Sequence, residues 1–416
     1  MDGIRKEIST VFTPRREDVN LEMYVSRPEL EKDLIRSIKG SMNTLISGES
    51  GNGKSWLYKK VLATEKINFV IANCANASRL GSLTEAIRQA VIPSETAKKT
   101  GYSEQMKAGV KAIVFEGGLE LKADYQLSQK EPLLSVFEWL YEKSRGEQSI
   151  IVLDNLESIF HNTKLMHEIA DILILLDDSQ YAKFKTKFLI VGVPNGVIEY
   201  FSKTKNIESV SNRIEELRNV TGLSPNQVEE VITKGLIGAL KIKLSPAQLS
   251  EISKHVHHVT MGVAQRIHEY CEKLAYKISD NNWIYSTNLL HLTDIDWLSI
   301  GLRQSYAVIE PHLNSRNTTI ARKNQVIYSI GKVNSHQFDS SVIEQIIKNE
   351  FPSTIPEANM GIGHILAELS TANTPLLKRN NKTNTYQVLD PRYVMCIRVI
   401  LIKDSENKVV KRSFKR

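Results

Sequence analysis

No apolar run in this 416-residue chain approaches the roughly 20 residues a bilayer-spanning helix needs, so no membrane partner is expected. The opening Met1-Asp2-Gly3-Ile4-Arg5-Lys6 is polar and lacks the apolar stretch of a secretory signal. Cysteine is scarce. Cys74, Cys271 and Cys396 lie far apart in unrelated segments, which excludes a disulfide framework and offers no metal-ligand spacing. They read as reduced thiols, and a cytoplasmic location is the expectation. The stretch His255-x-His257-His258 comes nearest to a metal motif, but no Cys or carboxylate stands at ligand spacing, so it reads as a helix surface. Low-complexity tracts are absent too. With 41% hydrophobic and 24% charged residues, the composition is that of an ordinary globular protein, long enough for two or three domains with sizeable cores.

Charge is unevenly placed. Residues 371–416 hold eleven Lys/Arg against three Asp/Glu, a net of +8, while the whole chain carries +7. The other residues are therefore close to neutral, and the C-terminal end is the place to look for contact with a polyanion. A solubilising basic tail over 403–416 explains the same charge.

Residues 48–55 read Gly48-Glu49-Ser50-Gly51-Asn52-Gly53-Lys54-Ser55, a full match to the phosphate-binding pattern GxxxxGK[ST]. An apolar run precedes them and a helix-compatible stretch beginning at Trp56 follows. Glycines allow successive backbone N–H groups to converge on an anion, and the helix N-terminus adds donors and a positive dipole end. Lys54 is placed to reach the β- and γ-phosphates, with the Ser55 hydroxyl on Mg²⁺. ATP with Mg²⁺ is the expected cofactor, held by Gly48 through Trp56.

From 42 to 220, short apolar runs alternate with helical periodicity. Strands are expected at 43–47, 67–74, 149–154, 187–193 and 214–220, with helices between them at 83–91, 132–143, 165–176 and 197–203. That alternation predicts a parallel five-stranded sheet covered on both faces. Residues 110–123 alternate around Gly117-Gly118 and read as an inserted β-hairpin, either a passive connection or a projection for a partner. Beyond 220 the strands stop. Ser224-Pro225-Asn226-Gln227 and Ser245-Pro246-Ala247-Gln248 are capping boxes with proline at the first helical position, and a third helix spans 262–278. Five segments result: a nucleotide-binding α/β domain (1–220), an all-α lid (221–283), a helical connector (284–324), a winged-helix-like domain (325–402) and a basic tail (403–416).

Other residues carry chemistry. In Ile150-Ile151-Val152-Leu153-Asp154, four apolar residues make a buried strand that delivers Asp154 to its carboxyl end as a second Mg²⁺ ligand. Asn155 follows where a Glu commonly orients the attacking water, and an amide is no base. Glu157 is then the candidate base, or a solvated carboxylate at a helix start. Asn195, at the tip of the fourth strand after Pro194, can position water or simply make a turn. Arg213 precedes the last strand, away from its own phosphate loop. It reads either as a residue entering a neighbouring copy's site, implying a homo-oligomer, or as half of a surface ion pair. Arg266, one turn into the third lid helix, can couple lid angle to the γ-phosphate, or be an ordinary helix arginine.

This order of elements resembles the AAA+ ATPases: P-loop, Asp strand, strand-tip Asn, an Arg before the fifth strand, and a helical lid with its own Arg. The chain looks like the initiator branch, the origin-recognition relatives, in its bacterial form. Tyr24-Val25-Ser26-Arg27-Pro28-Glu29-Leu30 resembles the segment that in this branch precedes the P-loop and packs beside the adenine. Ser211-Asn212-Arg213-Ile214 resembles its Ser-Arg-hydrophobic finger. Val11-Phe12-Thr13-Pro14 is similar to a stretch in bacterial ATPases of this branch. Four departures stand out: Ser26 for the usual Gly, Asn155 for the catalytic Glu, a lid Arg offset by one residue, and a recognition-helix region (357–370) with no Lys or Arg.

The resemblance implies an ATPase with nucleotide between protomers, and Asn155 implies slow turnover. Two uses follow. One is a machine acting on DNA, gripping phosphates through Lys378, Arg379 and Lys382 of a C-terminal wing and through the basic tail. The other is a nucleotide-dependent signalling switch of the antiphage-defence kind, whose C-terminal domain binds a protein effector.

Overall fold

The computed structural model describes residues 4–92, 131–193, 201, 207–314, 320–333, 335, 337–356 and 359–412. They fold as two compact units, residues 26–221 and residues 1–25 together with 222–416.

The first unit is built on five parallel strands: β1 Asn43–Ser47, β2 Asn68–Asn73, β3 Ser149–Asp154, β4 Thr186–Gly192 and β5 Ile214–Glu216. Their spatial order is β2-β3-β4-β1-β5, with Leu45 beside Ile190 and Ile46 beside Val191. The strands are apolar almost throughout because successive side chains enter two different cores. Leu45, Ile151, Leu153, Phe188 and Ile190 face one core, shared with the Leu83–Val91, Pro132–Lys143 and Thr163–Leu175 helices. Ile46, Val152, Leu189 and Val191 face the other, shared with the Pro28–Lys39 and Lys54–Thr64 helices. The two helices at 83–91 and 132–143 stand as expected, one started by Ser82 Oγ accepting from Glu85 N, the other by Glu131 accepting from Leu133 N and Leu134 N.

The fifth strand is shorter than its apolar pattern predicts. After Glu216 the chain still donates to β1 from Leu217 N to Leu45 O (3.0 Å) and from Val220 N to Ser47 O (2.8 Å), while Arg218 between them pairs with Asp33 (2.6 Å). The expected hairpin at 110–123 lies outside the described residues, as does the expected helix at 197–203 except for Phe201.

The second unit opens with residues 1–25, which the sequence placed with the sheet domain. Phe12 is fully buried against the all-α segment: a Cβ on Gly235 would lie 2.3 Å from its ring, and the His268 ring stands edge-on to it at 6.0 Å. Ile8, Val11 and Phe12 find their apolar surroundings there, and burying side chains of this size is worth roughly 2–3 kcal/mol each. Both capping boxes form as read, opening helices Pro225–Ile232 and Pro246–Thr260. Helix Ala264–Asp280 follows, then Asn288–Ile300 and Arg303–Ile309. Three helices come next, Arg322–Lys332, Ser340–Glu350 and Ile362–Thr371. The antiparallel pair β6 Leu377–Asn380 and β7 Thr385–Val388 follows them, then helix Pro391–Ile400.

Two readings need correction here. The tail expected over 403–416 begins instead inside a hairpin: β8 Leu401–Lys403 and β9 Val409–Lys411 pair antiparallel, with Leu401 and Val409 buried. The histidine stretch 255–258 is not simply a helix surface either. His255 Nε2 meets the buried Asp294 carboxylate at 2.8 Å, and Tyr270 donates to the same oxygen at 2.7 Å.

Candidate functional site

The phosphate loop joins β1 to the Lys54–Thr64 helix. Gly51 and Gly53 hold φ of 87° and 86°, a left-handed backbone that side-chain-bearing residues resist. This geometry lets the loop's N–H groups converge. No side chain caps the following helix, so its N-terminal donors and dipole stay available to an anion. Gly48 is required for a different reason: a Cβ there would lie 2.4 Å from Val220 O. The loop apex is pinned from two sides. Asn52 Nδ2 donates to Val220 O (3.0 Å). Arg27 donates through Nη2 to Asn52 O (2.8 Å) and through Nη1 to Thr221 O (2.9 Å). Arg27 as a clasp on the loop was not foreseen. Its one sequence signal was its place in the 24–30 segment.

Lys54 Nζ donates to Gly48 O (2.5 Å) and Glu49 O (3.2 Å), and no carboxylate pairs with it among the described residues. Burial lowers its pKa, while the negative charges of Glu157, Asp154 and Glu49 oppose that. Asp154, at the carboxyl end of β3, accepts from Tyr58 Oη (3.1 Å) and from Asn155 N (2.9 Å). Its charge and that of Glu157 also reach Cys74, whose thiol is pushed up to about 12 by burial first and then by these two carboxylates. Negative potential therefore gathers around one cation at the mouth of the loop.

This end of the unit carries donors of the kind a divalent cation takes. Ser55 and Asp154 supply hard oxygen donors, and a P-loop Mg²⁺ takes its remaining ligands from phosphates and water. A cage of three or more His, Cys, Asp or Glu is absent among the described residues, and such a site needs none. Asn155 holds φ 61°, a conformation asparagine tolerates, and leads into a 3₁₀ turn carrying the exposed Glu157. Ser50 and Trp56 lie in the loop and on the first helical turn beside these groups.

Of the remaining predicted residues, Arg213 is the one this unit places. Asn195 lies outside the described residues. Arg213 O accepts from Asn43 N at the amino end of β1, a strand length or about 16 Å from the phosphate loop. Its guanidinium pairs with Asp177 (2.7 Å) and donates to Ser209 O (2.7 Å) and Ser209 Oγ (2.8 Å). Arg266, in the other unit, pairs with Glu269 at 2.6 Å.

The wing residues Lys378, Arg379 and Lys382 are exposed and have no carboxylate partner among the described residues. Arg379 donates to Asn384 Oδ1 (2.8 Å). Other cations of the basic C-terminal segment are engaged within the chain: Lys403 with Glu350 at 3.4 Å, Lys411 with Glu310 at 2.7 Å, and Arg412 with Asp294.

Comparisons with known proteins bear on this arrangement. The AAA domain family matches residues 36–201. Among curated proteins none matches the chain. The Walker-type ATPase of Pyrococcus abyssi is similar in structure, with a TM-score of 0.51 and 15% identity over 93% of this chain and 99% of that one. The Aeropyrum pernix ORC2 protein superposes with a TM-score of 0.49 and 13% identity, covering 95% and 98%. Cdc6p of Pyrobaculum aerophilum gives 0.43 and 12%, covering 94% and 96%. The β2-β3-β4-β1-β5 parallel sheet with its phosphate loop, the family match and the Pyrococcus likeness together establish a P-loop AAA+ fold.

Proposed function

We propose that this chain is an ATP-binding, slowly hydrolysing AAA+ ATPase of the initiator-like, bacterial kind, assembled with nucleotide between protomers and acting on DNA. The observation that carries the reading is Lys54: a half-buried ammonium in the field of Asp154 and Glu157, held among the described residues by two carbonyls of its own loop. A phosphate chain is the partner this arrangement suits.

Each residue then has a task. The loop from Gly48 to Trp56 cradles the phosphates and Lys54 binds the β- and γ-oxygens. Ser55 and Asp154 would hold Mg²⁺, which neutralises phosphate charge. Glu157 accepts the proton of the attacking water as its oxygen bonds to the γ-phosphorus and the β–γ bridge breaks, with Asn195 orienting that water. With Asn155 in place of a carboxylate nearest the strand end, turnover is slow. Arg213 is too far to serve its own loop, so it serves a neighbour's, exchanging Asp177 for a γ-phosphate. Arg266 couples the lid (221–283) to nucleotide state. The three helices and the β6–β7 wing of 325–402 form the winged helix, and Lys378, Arg379 and Lys382 contact DNA phosphates. The name of the Pyrococcus neighbour, a Walker-type ATPase, agrees with this reading.

The test is ATP turnover and sedimentation across protein concentration, for wild type and Lys54→Ala. Turnover per chain that rises with concentration, with a mass above monomer in ATP, supports the reading. A monomer with concentration-independent turnover overturns the assembly. Absence of nucleotide binding overturns the whole.

A protein effector in place of DNA is the second reading. It is favoured by the internal pairing of Lys403, Lys411 and Arg412 and by helix Ile362–Thr371, which has no Lys or Arg. A salt series separates the two: DNA binding through the wing weakens steeply as salt rises. Truncation at 371 is no clean control, since Val394–Ile400 lie largely in the core, so substitutions at 378, 379 and 382 are used.

A further inference from the structure

A cavity of about 250 Å³ lies between helices Pro246–Thr260, Arg322–Lys332 and Pro391–Ile400 and the β8–β9 hairpin. His258, Tyr328, Lys332, Arg398, Lys403 and Arg412 line it. Its charges do not balance. Lys332 and Lys403 share one carboxylate, Glu350, at 3.6 and 3.4 Å. Arg412 is neutralised by Asp294, which His255 also contacts from the Pro246–Thr260 helix. Arg398 has no carboxylate among the described residues. Its Nε donates to Gly331 O (2.6 Å) and its Nη1 to His258 O (2.7 Å). Four cations thus face two carboxylates, leaving two positive charges in excess around a concave space.

The positive potential is felt within the cavity. His258 is pushed down to about 4, by burial first and then by Arg398 and Lys332, so it stands neutral at pH 7 and can accept or donate a hydrogen bond. Burial also lowers the Arg398 pKa. A half-buried guanidinium without a counter-ion is costly to hold. Its fork geometry matches phosphate oxygens in two-point contact.

We propose that this cavity is a binding site for a small phosphate-bearing anion, of the size of inorganic pyrophosphate or the phosphate end of a nucleotide, with Arg398 as its principal ligand and Lys332 and Lys403 flanking it. The anion bridges the Pro246–Thr260 helix to the C-terminal helices. The site is separate from the phosphate loop and does not depend on it.

The test uses full-length protein carrying Lys54→Ala, which weakens the phosphate loop, titrated with pyrophosphate by calorimetry. One saturable site is expected, together with a rise in the unfolding temperature. Arg398→Gln should abolish binding. Because Arg398 also holds two carbonyls and its loss can perturb folding, the surface pair Lys332→Gln and Lys403→Gln is the second variant. It should weaken binding at least tenfold without moving the unfolding temperature of the anion-free protein. Competition by ATP, tighter than pyrophosphate itself, identifies a nucleotide as the source of the phosphates. Binding of pyrophosphate without such competition identifies the free anion. Absence of saturable binding, or binding unmoved by both variants, overturns the proposal.

Discussion

The two units hold their cations in opposite ways. In residues 26–221, Lys54 pairs with no carboxylate among the described residues and donates to Gly48 O and Glu49 O, a weak hold that a phosphate can displace. Across 222–416 several cations of the basic C-terminal segment are spent on the fold: Arg392 on Asp390, Lys411 on Glu310 and Arg412 on the fully buried Asp294. Arg398 breaks that pattern and resembles Lys54, donating to two carbonyls with no carboxylate partner among the described residues. A count of charges along a chain therefore says little about binding, and what decides is whether each charge already has its opposite.

The sharpest challenge to this division is Arg213, which has both a carboxylate partner and a proposed task in a neighbouring site. Arg213→Ala should lower turnover by about 10³-fold while leaving nucleotide affinity within twofold, measured by steady-state kinetics and by titration with a fluorescent ATP analogue. If turnover is unchanged, Arg213 belongs with the structural cations. Next in size, Lys54→Ala should weaken ATP binding by about 100-fold or more, because the loop loses its one positive charge. An equal affinity in that variant would place Lys54 on the structural side.

Asp294→Asn tests the other half of the comparison. It strips the counter-charge from Arg412 and alters the hydrogen bond to His255 at a buried site, at a cost of about 3–5 kcal/mol, lowering the unfolding temperature of the 1–25 and 222–416 unit by about 10 °C. ATP affinity should stay as it was.

Acidity sharpens the same contrast. His258 and His268 are pushed down to about 4 by burial, His258 also by Arg398 and Lys332. The unfolded chain takes up protons at these residues below their ordinary value near 6.5. Stability of this unit is therefore full above about 6.5 and falls as pH drops toward 4, and His268→Gln should flatten that slope in thermal melts. The smallest expected effect is at the wing. Lys378→Ala, Arg379→Ala and Lys382→Ala combined should reduce DNA affinity about tenfold and flatten its salt dependence, by loss of up to three phosphate contacts. No change in salt slope would favour the protein-effector reading.

Much of the fold was legible because its signals are local. Strands 43–47 and 149–154, the helices at 83–91 and 132–143, and both capping boxes stand at their expected residues. The phosphate loop was legible for the same reason, since its glycines, lysine and serine are consecutive. The roles of Arg27 at that loop and of Tyr58 at Asp154 were not, because each acts on residues remote along the chain.

The sequence alone determined the first four strands of the sheet to within a residue or so, that the sheet is parallel, and that a phosphate-binding loop opens the Lys54–Thr64 helix. These depend on neighbours within one or two turns of chain. Tertiary structure decided that residues 1–25 join the second unit, where Phe12 finds its core, and that β5 stops at Glu216. It also decided which cations are already matched. Arg213 meets Asp177 across 36 residues and Arg412 meets Asp294 across 118. Pairing at such separations is fixed by packing, which brings charges together or keeps them apart with no trace in local pattern.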